Sequence, residues 1–385
     1  MPALSLIIPT HERFRYAEGT VETILAMGDD IELIVSDTSA ENPWDAIAHP
    51  RLKVVRPKSG ISVVDNFNIA LSHATGDYVC FIGDDDLVAP EIVDIARRAQ
   101  VLDADAVRFA FPILFYWPDY LHRSNPEAYS GTVWISGYSG QVRTLDTHAA
   151  LREAANKVGR GVFDMPRAYC GLVARPLIER IVAQHGALFG GVSPDIYSAA
   201  LIATHARKTL DIDFPAVILG ASGASTAGQS AAGRHVGALR DNAHIRPFRD
   251  LVWHPLVPEF YSVPTVWGYS LIRALEQIKL DPPVEPNWGR LYAQCLLYYR
   301  PYWSFTFQAM RNFVREESLP ALVATLTAGA VAEAGWALGR VWRRLTVRFA
   351  VTTDERIAGV DTIAAAAKVS DGIIAAGPKP DLFRA

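Results

Sequence analysis

The sequence predicts an α/β fold for residues 1–236 and a mostly helical, aromatic-rich region for residues 237–385, on three observations. Within the first hundred residues, short apolar runs of β-forming residues alternate with segments of helical periodicity, the order of a sheet layered with helices. The runs at residues 4–8, 31–37 and 78–82 are continuous rather than alternating, as strands covered on both faces of a parallel sheet are. Beyond residue 237 helical periodicity takes over. Trp253, Trp267, Trp288, Trp303, Trp336 and Trp342 all fall there, a density that suits core and interface packing.

Residues 4–8 form the first strand and end in the polar turn Pro9-Thr10-His11-Glu12-Arg13; Val21, Ile24 and Leu25 then mark one face of a helix over 16–27. A second strand, 31–37, ends in Asp37, and 51–55 is a third. Val64, Phe67 and Leu71 share a face of a helix over 62–73 that Gly76 closes. The fourth strand, 78–82, stops at Gly83, and Pro90 and Glu91 open a helix with Ile92, Ile95 and Ala99 on one face. Right-handed crossovers between such strands make a nucleotide-binding α/β half. Further on, 106–111, 131–136 and 167–174 read as strands, 116–129 as an aromatic connector, and 147–158 and 176–184 as helices. Gly190, Gly191 and Pro194 force a tight turn before a helix over 196–205, and 209–219 reads as one more strand. Residues 220–235 are small, polar and glycine-rich, the composition of a mobile lid or of a flexible linker. The lid would end in Arg234 and His235, placed to meet a diphosphate on closure. The last residues, 377–385, read as a loose tail.

Composition bounds the function. The chain has 385 residues, half of them apolar, and a net charge of −4, so it lacks the cationic excess of a nucleic-acid binder. Cys80, Cys170 and Cys295 are odd in number and far apart, which reads as reduced, buried thiols of a cytoplasmic protein. Residues 1–9 have neither a basic leader nor a long apolar core and read as a strand rather than a signal peptide. The longest apolar stretch, 319–338, carries Glu333 and reads as a buried or interfacial helix. Arg340, Arg343, Arg344 and Arg348, interleaved with Trp342, Leu345 and Phe349, make a basic amphipathic segment, suited to an anionic membrane surface or to a solvated face. No Gly-x-Gly-x-x-Gly follows the first strand and no Gly-Lys-Ser/Thr loop occurs, so the phosphate cradles of dinucleotide and P-loop enzymes are absent.

Asp84, Asp85 and Asp86 follow the fourth strand directly and so stand at the carboxyl end of a central strand, where open α/β sheets bind ligands. Adjacent carboxylates repel one another, and a divalent cation that also holds a diphosphate would relieve them through hard oxygen ligands. A solvated acidic turn is the other reading. Asp195, beside Pro194, stands either as a helix N-cap or as a reacting carboxylate.

Taken together, these residues resemble family 2 glycosyltransferases with the GT-A fold, a Rossmann-like nucleotide-sugar-binding domain. Leu6-Ile-Ile-Pro-Thr-His-Glu-Arg13 is similar to that family's first strand and nucleotide loop, and Val35-Ser-Asp37 to its base-contacting acid. Gly76-Asp-Tyr-Val-Cys-Phe-Ile-Gly-Asp-Asp-Asp86 is similar to its Asp-x-Asp segment, and Ser193-Pro-Asp195 to the segment with its catalytic base. The resemblance covers roughly residues 3–225, four motifs in order. It implies that Thr10, Glu12 and Asp37 contact the nucleoside, that Asp84 contacts ribose or diphosphate, that Asp86 holds Mn²⁺ or Mg²⁺, and that Asp195 takes the acceptor hydroxyl proton. Arg13, Asn66 and Asp85 join the nucleotide-binding set. The chain departs from the family in having Asp65 before Asn66 where Arg is common, Gly83 where another Asp is common, and Pro194 where an acid often precedes the base.

The activity so implied is inverting transfer of a sugar from a UDP, dTDP or GDP donor to a hydroxyl of a saccharide or lipid-linked saccharide, in surface polysaccharide synthesis. The cation neutralises the leaving diphosphate, while Asp195 deprotonates the acceptor as it attacks the anomeric carbon from the opposite face. The aromatic helices offer acceptor, membrane or homodimer contacts. A non-catalytic sugar-nucleotide-binding or scaffold protein of a glycan assembly complex is the alternative.

Overall fold

The computed structural model describes residues 2–28, 30–123, 125, 128–347 and 355–383; Arg348 and Phe349 of the basic segment lie outside them. In chain order the first half runs β1 (Leu4–Thr10), α1 (Phe14–Leu25), β2 (Ile31–Asp37), β3 (Leu52–Val55), α2 (Val63–Leu71), β4 (Tyr78–Phe81), β5 (Leu87–Val88), α3 (Ile92–Val101), β6 (Ala106–Phe109), β7 (Ile113–Tyr116), β8 (Thr132–Ile135), β9 (Val142–Thr144) and α4 (Thr147–Asn156). It continues β10 (Gly171–Ala174), α5 (Arg175–His185), α6 (Pro194–His205), β11 (Thr209–Ile212), β12 (Val217–Ala221), α7 (Thr226–Ala231), β13 (Gly237–Ala238) and β14 (Phe260–Tyr261). The helices α8 (Val263–Leu275), α9 (Trp288–Tyr298), α10 (Trp303–Glu316) and α11 (Leu319–Val347) follow, then β15 (Glu355–Ala358) and α12 (Ile363–Ala376).

The main sheet has the strand order β3-β2-β1-β4-β10-β6-β11-β9. β3, β2, β1 and β4 are parallel, and β10 runs antiparallel between β4 and β6. Alternate side chains of β1, β2 and β4 enter two apolar layers, Leu6, Leu33 and Cys80 on one face and Ile7, Ile34 and Phe81 on the other, which is why these runs are continuously hydrophobic. A second sheet, β15-β8-β7-β12-β5, stands beside it. Because β5 begins immediately after Asp86 and pairs with β12, the acidic run sits at the junction of the two sheets.

Three readings of the sequence are corrected. The strand expected over 209–219 is two strands in different sheets, since Pro215 has no N–H to carry a ladder through the corner. Residues 220–235 are neither linker nor loose lid: they hold the end of β12, a capped turn in which Ser225 accepts the Gly228 amide, and α7. The described part of the tail is not loose either. Leu382 is buried, Lys379 pairs with Glu91 at 2.6 Å, and the Asp381 amide donates to the Gly140 carbonyl.

Residues 355–383 in fact return to the α/β layer. β15 pairs antiparallel with β8, and Ile363, Ala366, Ile374 and Leu382 enter the same core as β1 and β4. Between them, α8 to α11 build a separate apolar layer. α11 lies against α9 at Gly289 and Gly329, where a Cβ on either glycine would fall on the other helix's backbone. Buried Glu333 of α11 accepts from Arg290 Nε at 2.9 Å and pairs with Arg160.

Deleting residues 355–385 should therefore unfold the α/β domain rather than trim it. Ile363, Ile374 and Leu382 each stand to lose about 1.5–3 kcal/mol of burial, against a typical total near 5–15 kcal/mol. A soluble truncation with an unchanged thermal midpoint would refute this placement of the C-terminus.

Candidate active site

β1 delivers Thr10 to the carboxyl edge of the sheet, and the turn after it places Glu12 at φ 54°, a left-handed conformation rare for a side-chain-bearing residue. The turn is held from the β2 side: the Glu12 amide donates to Ser39 Oγ at 2.6 Å, and Glu12 Oε1 accepts the Ala40 amide at 2.8 Å. Arg13 then points at the end of β4. Its Nη2 lies 2.9 Å from Asp84 Oδ1, 3.0 Å from Asp85 Oδ2 and 2.9 Å from Ser222 Oγ.

The three carboxylates are not a solvated turn: Asp84, Asp85 and Asp86 are 2%, 4% and 2% exposed. Asp84 Oδ2 accepts the Thr10 hydroxyl at 2.6 Å, and Asp85 Oδ2 accepts the Ser222 amide at 3.0 Å. Asp86 Oδ1 accepts the Gly220 amide at 2.7 Å; its Oδ2 accepts the Gly83 amide at 2.7 Å and the Tyr169 hydroxyl at 3.3 Å. Thr20 and the Trp117 indole tie down the carbonyls of the same loop. Burial pushes Asp84 up to about 7 despite the opposing Arg13 charge, and burial with the Asp85 charge pushes Asp86 up to about 7. Burial works against the Arg13 charge as well, but Asp85 and Asp84 more than offset it and its pKa is raised.

This geometry redistributes the expected roles. Asp86 is the poorer metal ligand, because one of its oxygens accepts the Gly220 amide that joins β12 to the acidic loop and the other accepts the loop's own Gly83 amide and the Tyr169 hydroxyl. Asp84 and Asp85 fit better. Asp84 Oδ1 is buried without a hydrogen-bond partner and faces only Arg13, and both residues offer hard oxygens. Among the described residues no three His, Cys, Asp or Glu side chains already converge as a cation cage.

Asp37 is also fully engaged. Oδ1 accepts from the Ser39 amide at 2.8 Å and from the Ser39 hydroxyl; Oδ2 accepts from the Trp44 indole at 2.8 Å and pairs with Arg56 at 2.8 Å. Those contacts use the lone pairs of a carboxylate, so Asp37 shapes the nucleoside loop rather than presenting a free acceptor. Asn66 is buried behind it, accepting the Ser36 hydroxyl at 2.6 Å and donating to the Ser36 carbonyl at 3.2 Å. Arg234 is exposed beyond α7, whereas His235 packs on the Tyr261 ring at 4.8 Å and is pushed down to about 4 by burial. No hydrogen bond or ion pair joins either side chain to the acidic run among the described residues.

Asp195 stands at the second position of α6, after Ser193 and Pro194, so the plain N-cap reading fails. Burial raises its pKa, while the Arg167 charge and the backbone amides at the start of α6 oppose the rise. The preceding turn is clamped by α8: Ser270 Oγ accepts the Val192 and Ser193 amides at 3.0 and 2.8 Å. The segment that links the two carboxylate sites was missed in the sequence. Tyr169 and Cys170 touch Asp86, and Arg167, buried between the Phe111 and Phe163 rings, faces Asp195 with its charge. An Arg and a Tyr just ahead of an apolar strand were the available signal.

A largely parallel sheet that delivers buried carboxylates to a crevice, flanked by a small second sheet, defines a GT-A domain, the architecture of nucleotide-sugar glycosyltransferases. Residues 5–160 match the model of glycosyl transferase family 2, and the protein is a transferase. The structure is similar to that of S. aureus TarS 1-349 in complex with UDP-GlcNAc, at 13% identity and a TM-score of 0.43, over 85% of this chain and 80% of that one. It is also similar to mannosyltransferase PcManGT from Pyrobaculum calidifontis in complex with GDP-Man and Mn2+, at 19% identity and a TM-score of 0.43, over 89% of this chain and 83% of that one. Likenesses this distant carry no residue roles. No curated protein matches the chain.

A Cβ at Gly220 would fall on the Asp85 carbonyl. Gly220→Ala should push β12 off the acidic loop, lower the thermal midpoint by several degrees, and remove nucleotide binding in calorimetric titration. An alanine variant with wild-type midpoint and binding would show that this junction does not hold the site.

Proposed function

We propose that the chain transfers a sugar from a nucleoside-diphosphate donor of the UDP, dTDP or GDP type to a hydroxyl of a saccharide acceptor, with inversion. The setting would be polysaccharide synthesis. The observation that carries this reading is the run of three buried carboxylates at the end of β4, held by Thr10, Arg13 and the β12 amides. Residues 1–236, closed by 355–383, are the catalytic domain in this reading, and α8 to α11 support the turn that carries the base.

Thr10, Glu12 and Arg13 border the nucleotide, and Asp37 and Asn66 shape its loop from behind. Mn²⁺ or Mg²⁺ would be held by Asp84 and Asp85, and when bound supplies the charge that neutralises the leaving diphosphate. Asp195 accepts the proton of the acceptor hydroxyl as the oxygen attacks the anomeric carbon and the nucleoside diphosphate departs from the opposite face. Its partial burial keeps the carboxylate basic, and Arg167 keeps it ionised. One carboxylate acting once gives inversion.

Replacing Asp195 with Asn should lower kcat by about 10²–10⁴-fold, the usual weight of a positioned base, with nucleotide affinity retained. Turnover equal to wild type would remove Asp195 from the mechanism. Calorimetric titration with UDP, dTDP and GDP, each with and without Mn²⁺, identifies the donor base. Failure of all three would return the chain to the scaffold reading.

The pH dependence follows from the raised Asp195 pKa. The base works only when ionised, so kcat/KM should fall as pH drops through a value above the ordinary carboxylate range. Arg167→Gln removes the opposing charge and should move that acidic limb further up. A limb unmoved by this substitution would mean that Arg167 serves packing alone.

A further inference from the structure

We propose that α10 and α11 form a docking surface for an anionic membrane and lie along the bilayer surface rather than across it. The inner face of α11 is occupied. Leu322 is buried, Gly329 abuts Gly289, and Glu333, 1% exposed, is paired with Arg290 and Arg160. A helix committed to protein along that face, with a paired carboxylate at its middle, cannot be surrounded by lipid.

The outer face is different. Leu319, Val323, Val331 and Leu338 are 57–69% exposed and recur at helical spacing, and no charged residue lies between Leu319 and Arg340 except buried Glu333. Only 17% of the most apolar stretch of this helix is buried in the protein. On α10, Phe305 and Phe307 are 37% and 44% exposed. A contiguous apolar face of this kind marks an interaction surface.

Charge chooses the partner. Residues 300–347 contain six arginines against three glutamates, one of them the buried Glu333, whereas the whole chain carries −4. The segment that holds the two helices with exposed apolar side chains is thus cationic within an acidic chain. Arg340 stacks on the Trp336 ring at 4.8 Å and is exposed, and Arg343 and Arg344 follow it in the same helix. An apolar face ending in arginines matches acyl chains beneath anionic headgroups.

The test is flotation of the full chain with phosphatidylcholine vesicles, with and without phosphatidylglycerol. The expected result is binding only to the anionic vesicles, reversed by high salt. Neutralising Arg340, Arg343 and Arg344 to Gln should weaken it by about fivefold per residue, and Val331→Glu with Leu338→Glu should abolish it. Val331 and Leu338 face outward, and circular dichroism of each variant checks its fold. No binding to anionic vesicles, equal binding to neutral ones, or binding that survives the glutamate pair would each overturn the proposal. So would retention after alkaline carbonate extraction, which would mark a spanning helix. Self-association lost in Val331→Glu without lipid binding would assign the face to a second copy instead. Vesicle binding needs neither donor nor acceptor, so its failure leaves the transferase reading intact.

Discussion

Burying three consecutive carboxylates at one strand end is the constraint on which the rest of this structure depends. Each ionised group taken from water costs several kcal/mol unless hydrogen bonds and charge replace the lost hydration. The replacements come from far along the chain. Arg13 and Thr10 arrive from the turn after β1, and the Gly220 and Ser222 amides from β12, more than a hundred residues downstream. Gly83 adds an amide from within the loop. Charge-assisted hydrogen bonds are individually worth about 1.5–3 kcal/mol, so their sum is of the size of the penalty. The second sheet exists where it does because β5 must leave the acidic run and β12 must reach back to it.

The same dependence joins the helical layer to Asp195. Asp195 does not hold itself in place: the turn before it is fixed by the Ser270 hydroxyl of α8, and the His244 ring meets the Val192 carbonyl at 2.7 Å. α8 is in turn packed on α6, and α9 carries α11. The helices therefore support Asp195 on one face of their layer, and α11 turns apolar side chains outward on the other.

Much of this was legible in the residues, and the misses share a cause. The continuous apolar runs of β1, β2 and β4, the glycine at the end of β4 and the turn before α6 are local signals, and each placed its element and its carboxylate. What could not be read locally was which donors each carboxylate would meet. Asp86 and Asp85 are equivalent in sequence, and only the arrival of Gly220 at Asp86 and of Ser222 at Asp85, with Arg13 facing Asp84 and Asp85, tells them apart. Asp37 was placed at its strand end but not recognised as saturated, because Ser39, Trp44 and Arg56 close on it only after the loop folds. The spacing of Ile363, Ala366, Ser370 and Ile374 marks a helix with one buried face, yet nothing in it says that this face belongs to a sheet built some three hundred residues earlier. Glycine-rich composition misled at 220–235, where small residues serve close approach to backbone rather than mobility.

The two carboxylate sites also solve opposite electrostatic problems with one short segment. Near the acids at β4, the task is to hold excess negative charge in a dry place, and Tyr169 contributes a neutral donor to Asp86 while burial keeps its own proton on. Near Asp195 the task is to keep one carboxylate both basic and ionised, and Arg167 contributes a charge. Its guanidinium lies over the Phe111 and Phe163 rings at 5.2 and 5.0 Å, an arrangement that stabilises a buried cation through the ring faces. Acting through its field, Arg167 opposes the rise in the Asp195 pKa without an ion pair to its oxygens among the described residues. A direct bidentate salt bridge would keep the carboxylate ionised more firmly but would occupy both oxygens, the ones that take the acceptor proton in the proposed transfer.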